Sequence, residues 1–367
     1  MSSYIHQRSA WPAFTYDLHG LMPVLTRARH RQGLLLGMLD SLGFFLKEQT
    51  SLQNLTLEIV SSSDIEGEFL NPDQVRSSIA RRLGLNVGGL IPSDKNVDGI
   101  VEMMLDATQR FDQPLTKERL FGWHASLFPT GYSGIHKIIV GGWRDNLKED
   151  PMQVVSGAMG RETVHFQAPD SDKLELEMQR FLEWFNKEQH LDPVLKAGIA
   201  HLWFVTIHPF DDGNGRIART IADMLLTRAD GTPLRFYSMS SQIKLERKEY
   251  YQILESTQKD DLDITAWLEW FLNCLNRSII ASGLTLAVVF GKTRFWEKHE
   301  GIAVNERQRL MLNKLLDGFN GKLTSSKWAT IAKCSQDTAV RDVQDLITKG
   351  ILEKEAGGGR STSYRLK

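Results

Sequence analysis

The strongest constraint on this chain is a twelve-residue stretch from His208 to Arg219, which reads His-Pro-Phe-Asp-Asp-Gly-Asn-Gly-Arg-Ile-Ala-Arg. The residues before it, 194–207, are apolar almost all round, as in a helix buried in a core. Pro209 ends that helix because the residue before a proline avoids the α conformation. Glycines and then apolar residues at helical spacing follow. The stretch therefore predicts a helix, a glycine-rich loop and a second helix that begins at about Arg216.

The predicted loop suits a phosphate group. A helix N-terminus offers unpaired N–H groups and the positive end of the helix dipole, and Gly213, Asn214 and Gly215 let the backbone close on an anion. Arg216 and Arg219 are three residues apart and share a helical face, so two guanidinium groups can hold a polyphosphate. The pattern indicates a phosphate site at the start of the second helix.

Two further side chains flank this predicted phosphate site. Asp212 is a carboxylate beside cationic groups, and Mg²⁺ usually takes one or two carboxylates plus phosphate oxygens. His208 can accept a proton near neutral pH. Taken singly, each part has a structural explanation, since His before Pro can end a helix, Gly-Asn-Gly forms turns and arginine pairs occupy solvated faces. Only the combination predicts a catalytic site.

Together the twelve residues resemble the Fic family, whose pattern is His-Pro-Phe-x-Asp/Glu-Gly-Asn-Gly-Arg-x-x-Arg, and they match it without a departure. Most Fic enzymes move AMP from ATP to a Ser, Thr or Tyr hydroxyl of a target protein. The resemblance implies that His208 takes the hydroxyl proton and that Asp212 holds Mg²⁺. It also implies that residues 213–215 cradle phosphate oxygens while Arg216 and Arg219 stabilise the departing pyrophosphate.

A second motif ends a predicted helix that begins at about Leu52. Ser62, Glu66 and Gly67 form Ser-x-x-x-Glu-Gly, a pattern that occurs often by chance, although the helix dipole disfavours a carboxylate at this end. Beside the first motif it resembles the Fic inhibitory motif. The resemblance implies that Glu66 pairs with Arg219 and keeps the γ-phosphate away. In some relatives such a glutamate also orients water for AMP removal.

Two more segments are candidates for substrate contacts. Residues 152–156 and 163–166 are β-prone and flank a glycine turn at 157–160, which predicts a β-hairpin. The resemblance implies a flap that positions the target segment, and a plain surface hairpin is the alternative. A predicted helix over 241–254 carries Tyr251, which the resemblance places near the adenine with Gln258. Packing of Tyr251 in the core is the alternative.

We predict three parts along the chain. Residues 1–98 form a helical N-terminal region with the inhibitory motif, and a Gly/Pro-rich connection ends it. This region opens with an aromatic segment, 11–17, which resembles the start of a little-characterised domain before some Fic cores and should pack on the first helix. Residues 99–290 are the expected Fic core, and 300–367 are the third part.

The third part resembles a winged helix, with three predicted helices and two strands around the glycine-rich residues 357–360. From Gly301 onward it holds 12 Lys/Arg against 7 Asp/Glu. A basic winged helix can place its third helix in a DNA major groove with Arg360 near a phosphate. Contacts with other proteins are the alternative.

Composition excludes several other classes of protein. The net charge of −1 argues against nucleic-acid or membrane binding by the whole chain, and two cysteines rule out a disulfide framework. Since no signal core and no run of about 18 apolar residues occur, we expect a cytoplasmic protein.

The sequence thus predicts a mainly α protein: a helical N-terminal region, a Fic-type helical core with a β-hairpin flap, and a winged helix. Its predicted function is that of a protein adenylyltransferase that uses ATP and Mg²⁺ and is autoinhibited by Glu66. Transfer of another phosphate-containing group and a nucleotide-sensing DNA-binding regulator are the alternatives. The resemblance also leaves a homodimer open.

Overall fold

The computed structural model describes residues 4–40, 43–157, 161–316, 318–319, 321–355 and 362–367, without the side chains at 44, 45, 285, 287–290 and 293. The chain forms two compact units, Met1–Ser282 and Gly283–Lys367, and the boundary falls within a long helix. In the part of the chain that is described, no helix is long and apolar enough to cross a membrane. The boundaries at 98 and 290 stay predictions.

The first unit is mainly helical. Its described residues form the helices α1 Leu18–Asp40, α2 Phe44–Ile65, α3 Pro72–Leu83, α4 Lys95–Gln109, α5 Lys117–Leu127, α6 Leu174–Lys187, α7 Pro193–Ile207, α8 Asn214–Asp230, α9 Met239–Leu245 and α10 Arg247–Gln258, and the part of α11 Thr265–Lys298 up to Ser282. Its strands are β1 Tyr132–Ser133, β2 His136–Lys137, β3 Gln153–Ser156 and β4 Thr163–Gln167. β1 pairs with β2 and β3 with β4, both antiparallel, so the predicted hairpin is present. Residues 158–160 of its predicted turn lie outside the described residues.

The core of this unit is built around α7 and α8, which pack against each other. Every residue of α7 from Val194 to Ile207 is buried, which confirms the expectation from its all-round apolar sequence. α2 packs on α3 and α9 and also contacts α8. The end of α2 is thereby brought from the N-terminal part of the chain to the first turns of α8.

Two predicted helix boundaries are wrong. The helix expected from about Leu52 begins at Phe44, after Gly43 as its N-cap. The helix expected over 241–254 is divided into α9 and α10, because the backbone of Glu246 leaves the α conformation at φ −105° and ψ 23°. Despite these errors, Ser62 lies in α2 and Tyr251 lies in α10, so both are helical as predicted.

The N-terminal aromatic segment, which we expected to pack on the first helix, contacts α6 and α7. The indole N–H of Trp11 donates to Glu177 on α6 at 2.8 Å. The rings of Trp11 and Phe14 meet Trp203 on α7 edge to face, with centroids 6.3 and 5.7 Å apart. The segment therefore extends the aromatic core of the unit.

The second unit contains α12 Glu306–Leu316, α13 Ser325–Ile331, α14 Gln336–Thr348, β5 Leu352–Lys354 and β6 Tyr364–Leu366. β5 and β6 pair antiparallel, and Leu323 adds a bridge to Tyr364. Among its described residues, the buried core contains Met311, Leu312, Leu323, Trp328, Ala339, Val343, Leu346, Ile351 and Leu352. The glycine-rich residues 357–360, Arg360 among them, lie outside the described residues.

Candidate active site

The loop between α7 and α8 is shaped by two residues in the left-handed conformation. His208 is the C-cap of α7 with φ 52° and ψ 58°, and its N–H donates to Phe204 O at 3.0 Å. Left-handed backbone is uncommon for a residue other than glycine, so the surrounding contacts must hold His208 there. Gly213 has φ 79° immediately before α8, where a Cβ would lie 2.9 Å from the Phe128 ring. This position therefore needs glycine.

Asn214 fixes the loop from within. Its side-chain amide accepts from Phe210 N at 3.0 Å and donates to Phe210 O at 2.8 Å. The side chain is thus used by the loop backbone. Residues 213–215 were predicted to cradle phosphate. The backbone N–H groups at the start of α8 can face an anion, whereas the Asn214 side chain cannot.

The ring of His208 is held in one tautomer. Its Nδ1 lies 3.1 Å from Val205 O, so Nδ1 carries the hydrogen and Nε2 keeps its lone pair. Burial lowers the pKa of His208 to about 4; the nearby Arg144 charge also lowers it, while the hydrogen bond and Asp212 oppose the shift. At neutral pH the imidazole is therefore uncharged and can accept a proton through Nε2.

Arg144 holds this loop through hydrogen bonds to its backbone, although no sequence pattern predicted this role. It is buried, and its Nε donates to His208 O at 2.7 Å while its Nη2 donates to Pro169 O at 2.6 Å. Its own backbone N–H donates to Pro209 O at 3.0 Å. One guanidinium thus ties His208 to the segment that follows β4.

Asp212 presents a carboxylate to solvent, and its side chain is 45% exposed. One oxygen accepts from Ser133 Oγ at 2.5 Å and the other from Gly213 N at 2.6 Å. Its carbonyl oxygen accepts from Nε2 of His124 at 3.2 Å, because Gly141 N–H donates to the other ring nitrogen. Ser133 and His124 were not predicted, and no local spacing marks them.

Arg219 is buried against the end of α2. Its Nε donates to Ser62 Oγ at 2.8 Å, and its Nη2 donates to Ser62 O at 2.9 Å and to Glu66 Oε1 at 2.7 Å. Burial alone would lower the pKa of Arg219, but the Glu66 carboxylate raises it above its usual value. The structure therefore brings Ser62 and Glu66 onto the second arginine of the loop.

The Glu66 carboxylate also occupies the start of α8. A Cβ added to Gly215 would lie 2.2 Å from Glu66 Oε1 and 3.2 Å from Arg219 Nη1. Glu66 is the C-cap of α2, and Gly67 follows with φ 82°. Glu66 thus lies where the first-turn N–H groups of α8 would meet an anion.

Arg216 has a different carboxylate partner, Glu68, which sequence reasoning missed. Arg216 is buried, its Nη1 donates to Glu68 Oε2, and its guanidinium lies 5.1 Å from the Phe128 ring centroid. Its Nη2 is 3.8 Å from Asp212. Glu68 also accepts from Asn96 Nδ2 at 2.6 Å. Both arginines of the loop therefore pair with the short segment after α2.

A cavity of about 780 Å³ opens between these groups. Its charged lining residues are Glu66, Glu68, Lys95, Asp212 and Arg216. The other walls come from α4, the end of α5 and the β1 turn. The volume is in the range of small-molecule sites.

Tyr251 lies beside this site, on α10. Its hydroxyl donates to Ile65 O at 3.3 Å, and its side chain is 39% exposed. Its neighbour Tyr250 is buried and bonds His201 at 2.9 Å, so the two tyrosines divide between surface and core. Gln258 is buried, and its amide donates to Thr206 at 3.1 Å. Their contact with an adenine stays a prediction.

Comparison with known families gives two matches. Residues 4–85 match a domain of unknown function, DUF4172, and residues 114–226 match the Fic/DOC family. The second match contains the whole loop from His208 to Arg219, whereas Ser62, Glu66 and Glu68 lie in the first. The ion pairs at the site thus join two sequence regions that match different families.

One curated relative is the protein adenylyltransferase Fic of Drosophila mojavensis, which is 27% identical over 227 residues. The aligned region is 60% of this chain and 40% of the relative. The chain thus spans about two fifths of that relative's length.

Two solved structures are similar in fold. One is a Fic family protein from Desulfovibrio desulfuricans G20, with TM-score 0.52, 19% identity and coverage of 94% of this chain and 96% of that chain. The other is a Fic domain containing signaling protein from Bacteroides thetaiotaomicron VPI-5482, with TM-score 0.51, 23% identity and coverage of 70% and 95%. The mainly helical fold predicted from the sequence is confirmed.

Proposed function

We propose that this chain, whose residues 114–226 form a Fic/DOC domain homologous to Fic protein adenylyltransferases, transfers AMP from ATP to a hydroxyl group of a target protein. One observation carries the proposal. A neutral His208 with its Nε2 lone pair lies in the same loop as the buried Arg216 and Arg219, at the N-terminus of α8. A base and two phosphate-binding arginines are thereby combined in one loop, and the cavity that Asp212 and Arg216 of this loop line has the volume of a small-molecule site.

The proposed reaction is an in-line displacement at the α-phosphorus of ATP. The target hydroxyl oxygen forms a bond to phosphorus while the bond to the bridging oxygen of pyrophosphate breaks. His208 Nε2 takes the hydroxyl proton, and the first-turn N–H groups of α8 bind phosphate oxygens. Arg216 and Arg219 stabilise the charge on the departing pyrophosphate. Positioning and charge neutralisation supply the rate enhancement for such phosphoryl chemistry.

The donor set fits a magnesium ion. The described residues hold no group of three acidic, His or Cys side chains that could bind a metal by themselves, but Asp212 directs a solvent-exposed carboxylate into the cavity. One carboxylate plus phosphate oxygens and water is a usual Mg²⁺ ligand set. Bound there with ATP, the ion would neutralise phosphate charge.

Glu66 is proposed as an inhibitory residue. Held at 2.7 Å, it occupies the Arg219 donor that a γ-phosphate would need, and its charge repels the triphosphate. ATP would then bind in a pose that cannot react. The same carboxylate, close to the α8 N-terminus, is also suited to orient water for removal of AMP.

The mass of the product tests the transfer. The variants Glu66→Gly and Glu66→Gly/His208→Ala are incubated with ATP and Mg²⁺, alone and with a cell extract depleted of nucleotides. The masses of the intact proteins are then measured by mass spectrometry. An added adenylyl group in the first variant and none in the second is expected. An added phosphate, or no adduct despite measured ATP binding, would contradict transfer of AMP and favour another donor or a nucleotide sensor.

A second candidate function rests on the C-terminal unit. Its element order, with α12, the Leu323 bridge, α13, α14 and the β5–β6 pair, supports assignment as a winged helix. α14 exposes Arg341 and Val340. Such a helix can enter a DNA major groove.

A mobility-shift assay with genomic fragments tests the DNA proposal. Arg341→Glu should weaken any shift, whereas Lys314→Glu, an equal charge change on exposed α12, should weaken it less. Equal effects of the two substitutions, or no shift by the unchanged chain, would contradict DNA reading by α14.

A further inference from the structure

We propose that Glu68 is a second inhibitory residue, which holds Arg216 while Glu66 holds Arg219, so that the short turn after α2 closes both arginines at once. The inference rests on the proposed function, because it concerns the same ATP site. Glu68 lies outside the Ser-x-x-x-Glu-Gly motif.

The geometry of the turn places the two carboxylates on one end of α8. Gly67, with φ 82°, reverses the chain direction, and the N–H groups of Glu66 and Glu68 both donate to Ser63 O at 3.0 Å. Residues 66 and 68 therefore both face the start of α8. Asn96, at the start of α4, donates to the Glu68 carboxylate at 2.6 Å and fixes its position.

The charges show why the release of Arg219 alone leaves ATP binding weakened. Arg216 faces Glu68 directly and Asp212 at 3.8 Å, while Arg219 faces Glu66. When Glu66 alone is removed, Arg216 remains neutralised by Glu68. A triphosphate must still displace that carboxylate before it can bind Arg216 with a full charge-assisted hydrogen bond.

Glu68 is not needed to orient Arg216. The guanidinium is buried, stacks over Phe128 at 5.1 Å and belongs to the first turn of α8. Its Nε has no hydrogen-bond partner among the described residues, so the side chain holds a free donor even with Glu68 bound. An orienting role would make Glu68 necessary for turnover, which is the opposite prediction.

The test compares Glu66→Gly with Glu66→Gly/Glu68→Gln. Gln has the size of Glu without its charge, and the Glu68 side chain is partly exposed, so the fold should tolerate it. We expect KM for ATP to fall about tenfold with kcat nearly unchanged, the size of one charge-assisted hydrogen bond. Unchanged or higher KM, or a lower kcat, would overturn the proposal. Glu66→Gly/Glu269→Gln, altered at an exposed α11 position, is the matched control.

Calorimetric ATP binding separates this proposal from the proposed function. In the same variants Kd for ATP with Mg²⁺ should fall about tenfold whether or not any transfer follows. Tighter binding without transfer would refute the transferase and leave the role of Glu68 intact. Transfer by Glu66→Gly with no change in Kd on adding Glu68→Gln would refute Glu68 alone. Asn96→Ala, which frees Glu68 without removing its charge, should lower Kd less than Glu68→Gln.

Discussion

Arginine–carboxylate ion pairs lie toward both ends of α8, but their surroundings differ. Toward its N-terminus, Arg216 and Arg219 meet Glu68 and Glu66, whose side chains are 32% and 33% exposed. Near its C-terminus, Arg235 meets Asp223 at 2.6 Å and Asp230 at 2.9 Å, and both aspartates are 1% exposed. Glu66, Glu68 and Arg216 of the first set line the cavity, whereas the second set is buried in the core.

This difference separates removable pairs from permanent ones. A carboxylate that contacts water can leave its arginine at small cost, whereas separation of a buried pair leaves an uncompensated charge in the core. The N-terminal set also leaves donors free: Arg216 Nε and Arg219 Nη1 are buried and lack hydrogen-bond partners within the described ranges. The N-terminal pairs are suited to exchange a carboxylate for a phosphate, and the Arg235 network is suited to hold the fold.

The largest expected effect separates the two networks by stability. Arg235→Met leaves two buried aspartates without their partner and should lower the free energy of unfolding by about 3–5 kcal/mol. Arg219→Met, the matched change at the other end, leaves Glu66 free to turn toward water but removes two hydrogen bonds from the buried Ser62, and should cost about 1–2 kcal/mol. Urea denaturation measures both. Equal losses would contradict the distinction between removable and permanent pairs.

A smaller effect appears in the pH dependence of catalysis. Because burial lowers the pKa of His208 from 6.5 to about 4, the base stays deprotonated well below neutral pH. In the Glu66→Gly variant kcat/KM should therefore stay nearly level between pH 8 and about 5 and fall near about pH 4. An acid limb at about 6.5 would show that His208, with its lowered pKa, is not the base of the free enzyme. Circular dichroism must confirm that the chain stays folded across this range.

The smallest effect concerns the buried network. Burial, and then the nearby Glu58 charge, raise the pKa of Asp223 well above its usual value. A raised carboxyl pKa contributes stability that is full below the unfolded pKa of 3.8 and is lost as pH rises through the folded value. Glu58→Gln removes the like charge, and an amide can still accept from Ser238 and Ser240. The alkaline loss of unfolding free energy should shrink; an unchanged loss would exclude coupling to Glu58.

The sequence was most informative where the site is local. His208, Gly213, Arg216 and Arg219 lie within twelve residues, so helix periodicity and glycine chemistry alone predicted a loop that presents a base and two arginines to a phosphate. α7 was predicted as a buried helix for the same reason. The fold class followed from the family resemblance carried by that loop.

The rest of the site depends on contacts that no local pattern carries. Glu68 and Arg216 are separated by 148 residues, and Arg144 reaches His208 O across 64. A glutamate after a helix or an arginine after Gly-Gly-Trp is ordinary on its own. The packing of α2, α4 and the β2–β3 segment decides which charged residues reach the loop. No spacing of residues in a single sequence predicts that packing.

Transfer of label from α-labelled ATP tests the central claim, that Glu66 holds Arg219 away from ATP in a working transferase. The unchanged chain, Glu66→Gly and Glu66→Gly/His208→Ala are compared with Mg²⁺ present, with label read on the chain itself and on added proteins. We expect faint label for the first, about 10- to 100-fold more for the second, as one released charge-assisted hydrogen bond would give, and none for the third. Equal label from the first two would contradict inhibition by Glu66, and equal label from the last two would contradict His208 as the base.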